Sequence, residues 1–181
     1  AARVIQGQGM LLTLDQLMDI YYRSVGRGTQ LLLNMMPDRS GRIPASDVAR
    51  GREFGEEVRR RFGTAVGSTK GSGGTVTLSL PGNTTVDHVI LQEDLRAGQR
   101  VLRYRLDGLA GGGWRQLGEG TTVGRQRIPP IEPAEYNAIR VGFPAALAPG
   151  VVLRRCSAYA TGAAPPPSWR QGAAIWSDDE A

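Results

Sequence analysis

Residues 75–80, TVTLSL, alternate strictly between hydroxyl-bearing and aliphatic side chains. Because successive side chains of a β-strand point to opposite faces, this alternation predicts a strand with one face in a core and the other in solvent. Residues 99–106, QRVLRYRL, repeat the pattern less strictly. Strands that bury only one face are typical of antiparallel sheets, so both stretches predict an antiparallel arrangement.

The segments around these two stretches have the same character. Short runs with strand-forming residues recur along the chain, and turn residues such as glycine, proline and aspartate lie between them. The runs are residues 86–91, 114–117, 126–128, 138–141 and 153–159. Short strands at this spacing predict an antiparallel β-sandwich over residues 75–160.

The N-terminal third of the chain has helical periodicity instead. Residues 13–16, TLDQ, have the pattern of a capping box, in which a hydroxyl side chain and a glutamine three residues later cap the start of a helix. Apolar residues then recur three and four positions apart as far as Val25. Gly26 and Gly28 are expected to end this helix.

A continuous apolar run separates this helix from the next. Residues 31–36, LLLNMM, show no alternation, which favours a strand buried on both faces. A turn is predicted at residues 37–41, and a second amphipathic helix is predicted with its N-cap at Ser46 and its end at Gly63. Such a helix–strand–helix unit belongs to an α/β sheet or barrel, and one buried strand cannot form a sheet by itself. We therefore expect residues 31–36 to leave an edge that favours aggregation or oligomerisation unless it is covered.

Two segments lack any periodicity. Residues 67–74, GSTKGSGG, are predicted to form a flexible linker between the two parts of the chain. Residues 161–181 contain three consecutive prolines and an acidic end, which predicts a disordered tail. Trp169 and Trp176 are unusual in such a tail, and we expect them to dock on the domain or on a partner. The predicted fold class is α+β overall.

The composition excludes several kinds of site and partner. One cysteine and one histidine rule out an internal disulfide, a multi-cysteine zinc site and a two-histidine metal cluster, and no cofactor or metal is expected. The chain has 22 basic and 17 acidic residues. The arginines are scattered, however, and the one triple, residues 59–61, falls at a predicted helix end, so no nucleic-acid partner is predicted. No apolar run is long enough for a membrane helix, so no membrane insertion is expected.

Four residues with reactive side chains are predicted to be structural. His88 lies in a strand without a partner motif, and Cys156 lies in an alternating strand, as a small core residue would. Glu93 and Asp94 raise the possibility of glycosidase chemistry, which needs two carboxylates about 5–5.5 Å apart for a retaining mechanism. Adjacent strand residues point to opposite faces, so a structural role in the following loop is preferred, with Asp94 accepting backbone amides.

Two groups of segments, taken together, resemble a known family. The first group resembles the end of the catalytic barrel in α-L-fucosidases of glycoside hydrolase family 29, and the second is similar to the opening of that family's C-terminal β-sandwich. The resemblance covers most of residues 13–160 in the family's order. The first group is 17–28 (LMDIYYRSVGRG), 31–43 (LLLNMMPDRSGRI), 46–50 (SDVAR) and 53–55 (EFG), and the second is 87–101 (DHVILQEDLRAGQRV), 124–128 (GRQRI) and 139–141 (IRV).

This resemblance implies a fold and an activity. Residues 1–66 would be the last segment of a (β/α)8 catalytic barrel, and residues 75–160 an accessory sandwich of the galactose-binding-like or jelly-roll type. Family members hydrolyse terminal α-linked L-fucose from glycans with retention, using an aspartate nucleophile and a separate carboxylic acid/base. Neither carboxylate has an equivalent in this chain, since the nucleophile lies on an earlier barrel strand. No catalytic residue is therefore assigned, and the isolated chain is expected to be inactive.

The resemblance also implies where a substrate would lie. Barrel active sites are at the C-terminal ends of the strands, so Asn34, Met35 and Met36 are the candidate substrate-binding residues. Asn34 could hydrogen-bond a sugar hydroxyl, and either methionine could lie against the methyl group of fucose or instead belong to the core. Asp38 and Arg39 are predicted to be turn residues. The expected partners are a fucosylated glycan or glycoside and a missing upstream portion of the barrel, and the family favours a secreted, extracellular or lysosomal location.

An alternative function remains open for the sandwich. It could be a stand-alone carbohydrate-binding or scaffold module in which Trp114, Tyr104 and Arg105 stack on a glycan and hydrogen-bond to it. The structural interpretation of Trp114 is that it closes a hairpin over the core.

Overall fold

The computed structural model describes residues 2–3, 11–166 and 169. Two α-helices and a two-stranded parallel pair precede seven antiparallel strands, and two single-turn 3-10 helices lie at Val25–Arg27 and Leu95–Ala97. The elements are β1 Ala2–Arg3, α1 Leu14–Arg23, β2 Leu31–Leu32, α2 Ala45–Phe62, β3 Gly67–Ser72, β4 Thr75–Val86, β5 His88–Glu93, β6 Val101–Ala110, β7 Gly113–Gly120, β8 Ala134–Ala146 and β9 Val152–Tyr159.

The seven antiparallel strands form two sheets that face each other across one apolar core. The order is β3-β9-β5 in the first sheet and β4-β8-β6-β7 in the second. The predicted α+β fold with an antiparallel β-sandwich is thus confirmed. Residues 126–128 are the exception among the predicted strands, because only Arg127 forms an isolated bridge, to Leu91. The core between the sheets includes Leu78, Val86, Val89, Leu91, Val101, Leu106, Ile139, Val141, Leu153, Cys156 and Ala158.

The helices form a third layer on the outer face of the three-stranded sheet. Alternate side chains of strand β5 lie in two different apolar clusters. Val89 and Leu91 belong to the sandwich core, whereas Ile90 belongs to a second cluster beneath the helices. Met18 and Tyr22 of α1 are buried in this second cluster. The helical layer is therefore packed on the sandwich through a continuous apolar interface.

The start of α1 follows the predicted capping box. The Thr13 side chain accepts a hydrogen bond from the Gln16 amide, and the Gln16 side chain accepts one from the Thr13 amide. The helix ends at Arg23, a 3-10 turn follows, and Gly28 has a φ of 86°, the left-handed conformation that glycine favours. The second helix ends before Gly63, as predicted, but it begins at Ala45 with Pro44 as N-cap. Ser46 lies inside the first turn, so its assignment as N-cap is wrong.

The prediction of a linker at residues 67–74 is also wrong. Gly67–Ser72 is strand β3, which pairs antiparallel with β9, and a turn at Gly73 joins it to β4. The glycines in β3 serve packing instead of flexibility. A Cβ at Gly67 would lie 2.8 Å from the Leu80 side chain, and one at Gly71 would lie 3.1 Å from Val76. The sandwich therefore begins at residue 67.

Strand β2 is shorter and more exposed than its sequence predicts. It spans two residues and pairs in parallel with β1 alone. Leu32 is 74% exposed and Met36 is 64% exposed, so burial of residues 31–36 on both faces is wrong within the described chain. A strand can be buried on both faces only when neighbouring elements cover it, and the described residues provide no such cover. Residues 33–36 form no strand, and the segment is therefore an uncovered edge within the described part of the chain.

The prediction of a disordered tail is wrong for its first part. The amides of Thr161 and Gly162 donate hydrogen bonds to the Asp87 carboxylate, which fixes the chain as it leaves β9. Trp169 is only 4% exposed and its indole nitrogen donates to the carbonyl of Ile128 at 3.0 Å. Trp169 therefore docks on the domain, whereas Trp176 lies outside the described residues.

Candidate functional site

The three predicted substrate-binding residues follow directly on strand β2. Asn34, Met35 and Met36 are all exposed and lie in the connection between β2 and α2. The Met35 methyl group approaches Gly51 of α2 so closely that a Cβ at that position would clash with it. The structure thus places these residues shortly after β2, and their role in sugar binding stays a prediction.

Asp38 closes the turn that follows. Its Oδ1 accepts hydrogen bonds from the Ser40 hydroxyl at 2.6 Å, the Ser40 amide at 2.8 Å and the Arg42 amide at 3.2 Å. These hydrogen bonds hold the pKa of Asp38 below its usual range, and the bond from the Ser40 side chain has the largest effect. Asp38 is therefore a turn residue, as predicted, and its carboxylate is unsuited to donate a proton near neutral pH.

An exposed set of apolar side chains surrounds this segment. Large hydrophobic side chains exposed in the helical layer all fall between residues 32 and 48, and we call this set the open face. Because exposed apolar groups of this kind mark interaction surfaces, the open face is the candidate for contact with a further protein segment. It consists of Leu32, Met35, Met36, Ile43 and Val48.

A buried polar network lies on the other side of the helical layer. His88 is fully buried, its Nε2 lies 2.6 Å from the Tyr22 hydroxyl and its Nδ1 lies 2.7 Å from Asp87 Oδ1. The indole of Trp169 stacks on the imidazole with 5.0 Å between ring centroids. No substrate can reach a histidine enclosed in this way, so His88 is the structural residue that its sequence context predicts.

The charge states in this network follow from its contacts. Burial acts to raise the pKa of Asp87, but hydrogen bonds from Thr161, His88 and Gly162 outweigh it and the pKa is lowered overall. Burial lowers the pKa of His88, which Asp87 only partly opposes. The consistent arrangement is an ionised Asp87 that accepts from Nδ1–H of a neutral His88, whose Nε2 accepts from the Tyr22 hydroxyl.

The arginine triple at the end of α2 joins this network. Arg61 donates to Glu57 at 2.6 Å and to the Tyr22 hydroxyl at 3.3 Å. Arg60 binds the same Glu57 and the carbonyl of Thr161 at 2.9 Å. Hydrogen bonding by Arg60, opposed by burial and reinforced by Arg61, lowers the pKa of Glu57 to about 2. Arg60 and Arg61 thus bind groups within the protein. This agrees with the interpretation of the arginine triple as a structural feature of the helix end.

Acidification is expected to destabilise the fold through His88. Because burial lowers the pKa of His88, this residue binds a proton less readily in the folded chain than in the unfolded chain. In the unfolded chain a histidine has a pKa of about 6.5. The stability that neutral His88 contributes is complete above that value and is lost as the pH falls below it towards the lowered folded pKa. Urea unfolding between about pH 7.5 and pH 5 should therefore show falling stability, by at most about 1.4 kcal/mol per pH unit for one proton.

The variant His88→Gln provides the control for this prediction. Glutamine does not titrate, and Asp87 keeps the backbone hydrogen bonds from Thr161 and Gly162 that lower its pKa. Unfolding of the variant should therefore lack the pH slope in this interval, although its stability is lower throughout. An identical slope in both proteins would assign the titration to another group and contradict the prediction.

The adjacent acids Glu93 and Asp94 are both committed to backbone groups. Glu93 is buried and its Oε1 accepts from the amides of Arg100 at 2.6 Å and Val101 at 3.1 Å. Asp94 caps the following turn and accepts from the Arg96 amide at 3.0 Å, and the Arg96 side chain lowers its pKa to about 2. The preferred structural role of this pair is thus what the structure shows.

The remaining sequence candidates are separated by the fold. Tyr104 is buried in the sandwich core, Arg105 is bound to Asp107 at 2.8 Å, and Trp114 is 40% exposed on β7. Tyr104 is therefore not presented with Arg105 and Trp114, which share the outer face of the four-stranded sheet. Cys156 is a buried core residue as predicted, and burial raises the pKa of its thiol to about 12.

Two searches of the described residues add no further site. In residues 2–3, 11–166 and 169, no cluster of three or more histidine, cysteine or acidic side chains is placed to hold a metal ion. The same part of the chain contains no helix with the length and apolar character needed to cross a membrane.

Comparison with known proteins identifies the fold's relatives, although no family model matches the chain. A crystal structure of a Bacteroides thetaiotaomicron protein assigned to the α-L-fucosidases superposes with a TM-score of 0.80 and 35% identity, over 83% of this chain and 35% of that one. A glycoside hydrolase family 29 member from an unknown rumen bacterium superposes with a TM-score of 0.71 and 30% identity, over 82% of this chain and 28% of that one. The predicted resemblance to family 29 α-L-fucosidases is confirmed.

The fucosidase likeness is also present in curated sequences and extends beyond the sandwich. The chain is 29% identical over 151 residues to an Oryza sativa subsp. japonica protein assigned as α-L-fucosidase 1, covering 62% of this chain and 28% of that protein. The chain thus spans about a third or less of the length of these relatives. Strands β3 to β9 occupy about half of the chain, whereas the Bacteroides match covers 83% of it, so the likeness includes part of the helical layer.

Proposed function

We propose that this chain is the C-terminal part of a retaining α-L-fucosidase that hydrolyses terminal α-L-fucose from glycoconjugates. In this proposal α1, β2 and α2 supply the last segment of the catalytic barrel, and the sandwich is an accessory domain. The observation that carries the proposal is the open face at the end of β2, in a chain whose likeness to fucosidases includes the helical layer.

The layer order supports this assignment. In a (β/α)8 barrel the strands lie inside and the helices form an outer ring. Here the helices pack with one side on the sandwich, through Met18 and Tyr22, while β2 and its exposed Leu32 have no such cover. A barrel completed by upstream strands would cover β2, and the sandwich would lie on the opposite side of the helices from the barrel strands.

The contacts of the acidic side chains support a chain that lacks the catalytic carboxyl pair. A retaining glycosidase needs two carboxyl groups about 5–5.5 Å apart on either side of the scissile bond. The buried acids Glu93 and Asp87 are each committed to backbone amides, and Asp94 is paired with Arg96. Upstream barrel strands would then supply the nucleophile and the acid/base, and this chain would contribute the rim.

The proposed rim is the segment that directly follows β2. Asn34 would hydrogen-bond a hydroxyl of fucose, and Met35 or Met36 would contact its methyl group. All three side chains are exposed at the end of the strand, where barrel enzymes bind their substrates. The partners are a fucosylated glycan or glycoside and the upstream barrel portion.

A chimeric enzyme tests the proposal. The region of the Bacteroides thetaiotaomicron relative that lies upstream of its matched part would be fused to this chain and assayed with an aryl α-L-fucoside beside the intact relative. We expect the soluble chimera to release the aryl group, because the two parts together complete the barrel. A folded chimera without activity, beside an active relative, would contradict the proposal.

Matched leucine variants test the role of the open face in the same chimera. Leu32→Asp is expected to reduce stability by roughly 3 kcal/mol and to abolish most activity, since the completed barrel would bury the new carboxylate. Leu147→Asp, in the sandwich loop, should have little effect because Leu147 is exposed to a similar degree and needs no cover. Equal effects of the two variants would show that no barrel covers Leu32.

A further inference from the structure

The outer face of the four-stranded sheet carries an ordered group of polar side chains around one indole. On β8, Ile139 and Val141 point into the core, so Arg140 between them points outward. Strand pairing places Arg140 beside Thr77 on β4 and Asp107 on β6. We call this surface the Trp114 face; it consists of Thr77, Arg105, Asp107, Trp114, Gln116, Glu119 and Arg140.

Arg140 is held in one position by two independent contacts. Its guanidinium carbon lies 4.2 Å from the centroid of the Trp114 ring, a cation–π contact. Its Nε and one terminal nitrogen both bind Asp107 Oδ2, at 3.3 and 3.0 Å. Asp107 is itself buried, and its other oxygen accepts from Arg105. The indole and the guanidinium are therefore fixed before any ligand arrives, which lowers the entropic cost of binding.

Gly142 leaves a shallow opening next to this group. It lies two residues after Arg140 on β8, so both positions share the outer face. A Cβ at Gly142 would meet only the Thr75 hydroxyl at 3.9 Å and the Gly74 carbonyl at 4.0 Å. Thr75 pairs with Gly142 on β4 and is exposed beside it. In the strand register Thr77 and Gln116 lie on either side of the Arg140–Asp107 pair, so a hydroxyl and an amide flank the fixed guanidinium.

We propose that the Trp114 face binds a neutral sugar ring of a glycan, separately from the barrel site. A pyranose ring presents an apolar C–H face and a rim of hydroxyl groups, which match an exposed indole surrounded by hydrogen-bonding side chains. The choice of a glycan rests on the proposed function, whereas the arrangement of the face does not.

The charges of this face favour a neutral ligand. Arg105 and Arg140 share the carboxylate of Asp107, and Glu119 lies opposite Arg105 in the strand register. The positive and negative charges therefore balance, unlike the cationic excess that a phosphate backbone needs. Trp114 lies on the edge strand β7 and is the large apolar side chain exposed on this face, which gives little area for the apolar core of a stable protein interface.

Titration followed through the indole N–H resonances tests this proposal on the intact chain. The probes are L-fucose, D-galactose and fucosyllactose, with the Trp114 resonance assigned from the variant Trp114→Phe. We expect at least one probe to shift the Trp114 resonance and to leave that of buried Trp169 unchanged. Arg140→Lys, which keeps the charge but loses the planar stacked group, should weaken binding about tenfold.

Controls separate this proposal from the proposed function. Gln116→Ala removes the amide that lies two residues from Trp114 on the same face and should weaken binding, whereas Arg154→Lys, an exposed arginine on the other sheet, should leave affinity unchanged. Absence of any Trp114 shift with all three sugars, or an equal affinity of the Arg140→Lys variant, would overturn the sugar site. Hydrolysis by the chimera is measured separately, so activity without sugar binding at Trp114 would overturn this inference alone.

Discussion

Replacing Asp87 with alanine is expected to lower the free energy of unfolding by about 3–5 kcal/mol. Its carboxylate accepts from the amides of Thr161 and Gly162, at 2.9 and 2.8 Å, and from His88 at 2.7 Å. Without its carboxylate, the buried donors of Thr161 and His88 have no partner, and each lost bond costs about 1–3 kcal/mol. The network joins β5, α1 and the segment after β9, so the whole attachment of the helical layer should weaken.

Urea unfolding measures this effect against an exposed control. Asp38→Ala removes a carboxylate that also accepts several hydrogen bonds, but Asp38 is exposed and water can replace it, so the expected loss is below about 1 kcal/mol. Asp87→Asn, which keeps the shape and one carbonyl oxygen, should lie between the two. A loss for Asp87→Ala no larger than that for Asp38→Ala would contradict the structural role of the network.

The second large effect is expected for Trp169→Ala, with a loss of about 3–5 kcal/mol. The indole is buried against His88 and against Tyr22, with 5.0 and 5.3 Å between ring centroids, and it donates a hydrogen bond to Ile128. Its removal leaves a cavity at the centre of the cluster beneath the helices. The change also exposes the imidazole of His88, so the histidine should titrate closer to its ordinary pKa.

A second tryptophan supplies the matched control. Trp114→Ala removes the same side chain from a half-exposed position on β7, and its expected cost is about 1 kcal/mol or less. Thermal unfolding followed by circular dichroism compares the two variants directly. Equal destabilisation would show that Trp169 is not held in the cluster and would contradict the docking of this segment.

Local patterns predicted much of this fold because the physics involved is local. The capping box at Thr13 needs contacts across three residues, and the alternation at residues 75–80 expresses which face of one strand is buried. Such features can be recognised without knowledge of the partner elements. Asp94 belongs to the same class, since its carboxylate binds an amide two residues away.

The errors arose where distant contacts decide the structure. The composition at Gly67 and Gly71 predicts flexibility, yet glycine is required there because Leu80 and Val76 pack against these positions from β4 in the facing sheet. Trp169 lies in a segment whose composition favours disorder, and it is ordered by contacts with residues far away in the sequence.

The candidate sites also differ in whether neighbouring residues in the sequence can predict them. The His88 network joins residues as far apart as 22, 88 and 161, and no single segment of the sequence predicts their meeting. The dipeptide Asp87-His88 was the one local signal that could have drawn attention to it. Asn34, Met35 and Met36 are candidates through family resemblance, and their role in sugar binding stays a prediction.

The most direct test is an aryl α-L-fucoside assay of the folded 181-residue chain beside the chimera, at equal concentration. We predict no release of the aryl group by the chain alone and clear release by the chimera, because the proposed barrel end and rim lack the catalytic carboxylates. Turnover by the chain alone would place a catalytic pair within these residues and contradict the proposed function.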